Sequence, residues 1–186
     1  MIRPLLVTAL IVLAAPARAA CPPAPEIAPR MDALLAEVQA APDEGAARAV
    51  SARMWAVWTD APDSRAQELL DEGMQRRAAF DLAGARTAFD ALVAYCPDYA
   101  EGYNQRAFVN FILGEHAAAL PDLDRAIALS PRHVAAIAGK GLTLISMGRV
   151  SEGQDVIREA LALNPWLSER RFLDIAPGPA GDEIEL

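Results

Sequence analysis

Prolines stand at positions 97, 131 and 165 of this 186-residue chain, each 34 residues after the last. Each closes an apolar run: LVAYCP at 92–97, AIALSP at 126–131 and ALALNP at 160–165. A fixed period of this size marks stacked repeats, in which each unit buries its apolar face only against its neighbours. Proline stops a helix because it has no N–H for the ladder and biases the preceding residue away from the helical region. The period therefore predicts three gapless units, 66–99, 100–133 and 134–167, each with its proline at position 32.

Other positions repeat with the same register. Position 8 is Gly73, Ala107 and Gly141, and position 20 is Ala85, Ala119 and Gly153. Small residues there let two helices approach closely. Position 4 (Leu69, Tyr103, Ile137) and position 24 (Phe89, Leu123, Ile157) supply the bulk beside them. Gly114 and Gly148 at position 15 mark a turn between the two helices; the first unit has Phe80 there and Gly84 shortly after. Aromatics are only 6% of a chain that is 53% hydrophobic and rich in alanine, which suits close-packed helices better than a sheet.

This small–small–large–proline series resembles the tetratricopeptide repeat (TPR) family over 66–167, more than half of the chain. The resemblance implies an all-α fold, a right-handed α-solenoid of stacked helical hairpins. Position 11, often tyrosine in the family, is Arg76, Asn110 and Leu144 here. Pro121 falls inside the second hairpin's second helix and predicts a kink, with the Ala117 carbonyl left short of a partner.

Residues 1–20 read as a secretory signal peptide: Arg3, an uncharged apolar run from Leu5 to Ala15, then Ala17-Arg18-Ala19 before Cys21. The run is too short to span a membrane, which takes about 20 residues. The expectation is an exported protein of a bacterial periplasm. Residues 21–65 read as a proline-rich lead-in and a degenerate helical hairpin, with helices over 31–41 and 46–62, capping the stack with Trp55 and Trp58 over its open end. Residues 168–186 read as a short terminal helix and a flexible acidic tail. Two cysteines allow a Cys21–Cys96 disulfide, lipid attachment at Cys21, or two unpaired thiols. Arginine at 18, where lipoprotein signals carry leucine, disfavours the lipid, and the polar residues matching Cys96 (Ser130, Asn164) suggest an accessible sulfur, favouring the disulfide.

No chemistry-bearing constellation stands out. His116 reads as a partly buried helix-start residue and His133 as an exposed loop residue; they lie on different elements, without zinc-ligand spacing. Asp71, Glu72, Asp122 and Asp124 read as solvated surface. There is no phosphate loop and no nucleophile elbow. A net charge of −8 with one lysine argues against nucleic acid. No catalytic residue, metal or cofactor is expected.

In the tetratricopeptide family the concave face is lined by positions 2, 5, 9 and 12 of the first helix of each hairpin. The resemblance thus assigns a peptide-binding groove to Leu70, Met74, Arg77, Glu101, Asn104, Phe108, Phe111, Leu142 and Ile145, alongside Gln67, Ala135 and Ala138. Packing of some of these against the N-terminal segment is the competing reading. Some family members clamp a partner's terminal carboxylate with Lys, Asn and Arg; Leu70 and Met74 stand at the matching positions, so that clamp is not expected here. The function implied is a non-catalytic adaptor or assembly factor that binds a protein or peptide. A lipid-anchored envelope component, or an enzyme or small-ligand carrier using the groove, is the alternative.

Overall fold

The computed structural model describes residues 20–176. The signal-like residues before Ala20 and the acidic tail from 177 onward lie outside the described residues. Six helices pair as three hairpins: α3 (Ser64–Ala78) with α4 (Leu82–Tyr95), α5 (Ala100–Ile112) with α6 (His116–Leu129), and α7 (Val134–Ser146) with α8 (Val150–Leu163). Two more, α1 (Ala28–Gln39) and α2 (Glu44–Trp58), precede them, and a 3-10 helix over Ser168–Asp174 follows. All described regular structure is helical, and the fold is an all-α solenoid of stacked hairpins.

The starts of the early helices are fixed by side chains. Asp43, Asp63 and Asp81 each accept a hydrogen bond from a backbone N–H of the first turn, at 2.8, 2.8 and 3.0 Å. The Ala66 N–H and the Tyr95 hydroxyl hold the Asp63 carboxyl below its ordinary pKa. A depressed carboxyl stabilises the fold at neutral pH, and that contribution fades as pH falls through the folded-state pKa.

In the third hairpin, positions 8 and 20 meet as the sequence predicts. A Cβ added at Gly153 would stand 2.5 Å from the Gly141 carbonyl oxygen, and one at Gly141 would stand 2.9 Å from that of Gly153. The third hairpin thus crosses on a Gly–Gly pair, whereas the other hairpins carry Ala85 and Ala119 at position 20. Gly153→Ala is therefore expected to destabilise by about 1–3 kcal/mol, although alanine is native at the equivalent site elsewhere. An unchanged urea midpoint would show that the crossing relaxes freely.

The turns follow position 15. Gly114 and Gly148 have φ of 76° and 81°, and Phe80 takes the same left-handed conformation at 59° with 83% of its surface exposed. A non-glycine residue there costs about 1 kcal/mol or more, and this exposed ring has no burial to offset it. Phe80→Gly is expected to raise stability by about 0.5 kcal/mol, after glycine's larger unfolded-state entropy is counted; a lower melting temperature would contradict this.

The N-terminal segment does form a hairpin, but it does not cap the stack beside α3. It lies across the edge made by the loops between hairpins and packs on the far unit. Met31, Leu35, Val38, Val50, Met54 and Trp58 share one core with Val134, and with partly buried Leu163, Trp166 and Leu167. Gln39 Nε2 donates to the Ala162 and Leu163 carbonyls at 3.0 and 3.3 Å, and Arg132 pairs with Asp32. The reason is apolar area: the face of α2 finds more partners at the end of α8 than at α3. A disulfide joins Cys21 to Cys96 and fastens the lead-in to the loop after α4. Cys96 is buried rather than accessible, and so is Asn164 at the matching position.

Pro121 is the sixth residue of α6, inside the helix as the sequence places it. The short terminal helix forms as a 3-10 helix, held by Gln154 Nε2, which donates to the carbonyls of Phe172, Leu173 and Ile175. Asp122 is not solvated surface: it is buried and takes two bonds from Arg106, at 2.8 and 2.6 Å, while Arg106 also reaches Asp90 on α4. These acceptors hold the guanidinium pKa above its usual value.

Candidate functional site: the concave groove

Position 34 organises the site. Its three residues, Tyr99, His133 and Leu167, form the row on which α2 rests. The Tyr99 hydroxyl donates to the Trp58 carbonyl at 2.7 Å, and burial pushes its pKa well up. His133 stacks on Trp58 with ring centroids 4.3 Å apart and planes 8° from parallel. Leu167 joins the α1–α2 core.

His133 is thus not an exposed loop residue but fully buried, at 0% exposure. Its Nδ1 accepts from the Ala136 N–H at 3.3 Å, capping α7. Nε2 therefore carries the proton and donates to Glu101 Oε2 at 2.8 Å. Glu101, 1% exposed, lies in the first turn of α5, where the helix dipole favours a carboxylate. It also accepts from the side-chain amides of Asn104 and Gln105, and Gln105 in turn accepts from Arg77 Nη1. One chain of polar contacts so runs from Trp58 beneath α5 to Arg77.

Two cavities flank this network. One, about 300 Å³, opens at the loop edge between the lead-in and Trp58, Tyr99, Glu101 and His133. The other, about 280 Å³, is the open part of the concave face. Phe108 and Phe111 of α5 line it with Leu142 of α7, Trp55 of α2 and Leu167; Arg77 of α3 and Glu169 of the 3-10 helix bring the charges. Phe108 is 46% exposed, and the Arg77 guanidinium stands 4.8 Å above its ring. Burial lowers the Arg77 pKa, with Glu101 opposing that shift. Among the described residues no group of His, Cys, Asp and Glu is placed to hold a metal ion, and no helix is long and apolar enough to cross a membrane.

Known proteins place this architecture. A TPR repeat-containing protein of Rhizobium etli is 27% identical over 154 residues, which are 80% of this chain and 67% of that protein. DnaJ homolog subfamily C member 3 of Rattus norvegicus is 37% identical over 102 residues, 55% of this chain but only 20% of the relative. The TPR2B domain of yeast Sti1, solved in complex with pHsp70, superposes with a TM-score of 0.54 at 26% identity, covering 60% of this chain and 92% of that domain. The chain is similar to tetratricopeptide-repeat proteins in both sequence and fold. No family model matches it.

On this tetratricopeptide stack the sequence-assigned groove splits in two. Arg77, Asn104, Phe108, Phe111 and Leu142 line the cavity, with Ala135 and Ala138 beside them. Leu70, Met74, Glu101 and Ile145 do not. Leu70 is fully buried in the core of the first hairpin with Phe89 and Leu92, and half-buried Met74 packs against the same core. Glu101 is held by His133, and Ile145 packs at Gly153 inside its own hairpin. The division has no single cause: Leu70, Met74 and Ile145 are taken up within their own hairpins and Glu101 by His133, whereas Asn104, Ala135 and Ala138 stay on the cavity with most of positions 9 and 12. Sequence reasoning missed Trp55, Gln105, Leu167 and Glu169. Only the apolar run Trp166-Leu167 after the last repeat proline signalled that something must pack there.

Proposed function

We propose that the open groove binds a short segment of another protein and that the chain is a non-catalytic adaptor. The observation that carries this reading is Phe108: a large ring 46% exposed, in a cavity of about 280 Å³ whose other aromatic and aliphatic walls come from three separate elements. Apolar surface gathered in a concave site favours docking of a bulky side chain. The Sti1 domain's complex with pHsp70 supports the same kind of use. Apolar Leu70 and Met74 at the clamp positions argue that the partner is not a chaperone tail held by that clamp.

The cellular setting belongs to the same proposal: an exported envelope protein, freed of residues 1–20 and stabilised by its disulfide. The signal-like N-terminus and the cysteine pair support it, and a sulfur bonded to Cys96 leaves none for a lipid. The intact mass of the mature protein separates a cleaved, disulfide-bonded chain from a lipidated one.

Peptide-phage selection on immobilised protein tests the groove. Selected peptides should bind the wild type and lose at least about tenfold in affinity for Phe108→Glu, which buries a charge under the ligand. The variant should keep its melting temperature, since the ring faces solvent. Selected peptides indifferent to Phe108→Glu would move the binding surface elsewhere.

A further inference from the structure

Among the described residues, the two charges of the groove are not matched. Arg77 is half-buried and has no carboxylate at ion-pair distance among the described residues. The other partly buried arginines and lysine there, Arg86, Arg106 and Lys140, are each ion-paired. Arg77 is instead fixed in place: Gln105 accepts from one of its nitrogens, Glu101, itself bonded to His133, holds Gln105 in turn, and the plane sits over Phe108. Its remaining N–H donors are left for another group. Glu169 is also half-buried and lines the same cavity, and the contact found for its carboxylate is the Ser168 hydroxyl at 3.2 Å.

Arg77 comes from α3, in the first hairpin, and Glu169 from the 3-10 helix beyond the third. The walls between them are Phe108, Phe111 and Leu142. The site is therefore bipolar: cationic on one side, anionic on the other, apolar between. A half-buried unpaired charge keeps part of its desolvation cost until a partner of opposite sign arrives, so such a pair selects on charge order more than it adds affinity.

We infer that the groove selects a linear segment in which a bulky apolar residue is flanked by an acidic residue on one side and a basic residue on the other, the acid meeting Arg77 and the base meeting Glu169. This rests on the groove being a peptide site and adds what it reads. A segment acidic at both ends would meet Glu169 with like charge; one basic at both ends would meet Arg77.

The test uses the full chain and three labelled peptides that share a Leu-Phe-Leu centre: GDELFLKRG, GDELFLDEG and GKRLFLKRG. The mixed peptide should bind about tenfold more tightly than either of the others. Glu169→Lys should shift the preference to the all-acidic peptide, and Arg77→Glu to the all-basic one. Arg77→Gln, which retains the hydrogen bond to Gln105 in an uncharged form, should erase discrimination at the acid end without reversing it. Equal binding of the three, or a ranking that survives both charge reversals, would overturn the bipolar reading. If that ranking were flat while Phe108→Glu still abolished binding, the groove would stand and only its charge selection would fail. Binding by none of the peptides would overturn both.

Discussion

Replacing Cys21 and Cys96 together by alanine is expected to lower the unfolding free energy by about 4 kcal/mol, the largest effect of any change outside the helix contacts. The bond joins residues 75 apart in sequence, so it closes a loop containing α1, α2, α3 and α4. Closing so long a loop removes much of the unfolded chain's freedom. The native state gives little back, because Cys96 is already buried among Phe89, Leu92 and Tyr99, where an alanine fits with a small cavity. The loss should appear in guanidinium denaturation of the variant, and equally in the wild type unfolded under reducing conditions. Hydrogen exchange should show the largest loss of protection in the lead-in and α1. A loss below about 1 kcal/mol would mean that packing of Ile27 and Met31 already fixes the segment and that the unfolded chain is far from random.

What the sequence made legible was everything that repeats. The prolines, the small residues at positions 8 and 20 and the bulky ones at 4 and 24 recur because each hairpin solves the same packing problem, and the helices fall where that register puts them. What it hid happens once. The path of α2 across the loop edge has no periodic signal, and Pro62, only one residue off the 34-residue period, made the first hairpin look like one more layer of the stack. The misplaced hairpin then explains the error at His133, which follows a helix-breaking proline and looks like a loop residue; only Trp58 stacking above it and Glu101 below make it core. Leu70 and Glu101 occupy positions that face the groove in the family's register, and here Leu70 packs on Phe89 and Leu92 of its own hairpin and Glu101 is bonded to His133.

The groove itself was half legible. Phe108, Phe111 and Leu142 followed from the register, while Ile145, at position 12 of the third hairpin, packs at Gly153 instead. Glu169 could not be placed from pattern. It sits in a 3-10 helix whose position depends on one side chain, Gln154, holding three carbonyls.

Glu101→Ala should be the most damaging single substitution, costing about 3–5 kcal/mol. The carboxylate accepts from His133, Asn104 and Gln105, all three of them buried. Removing it leaves three buried donors without an acceptor, and each orphaned donor costs about 1–3 kcal/mol. The damage should also travel. His133 caps α7 and carries Trp58, and Gln105 positions Arg77, so both the seat of α2 and the cationic side of the groove depend on one acid. A double-mutant cycle with His133→Ala distinguishes orphaned donors from simple loss of packing. If the cost arises from unsatisfied polar groups, removing both partners should cost less than the sum by about 1–2 kcal/mol. Strict additivity, or a Glu101→Ala cost below about 1 kcal/mol, would mean that water reaches the network from the neighbouring 300 Å³ cavity and takes the carboxylate's place.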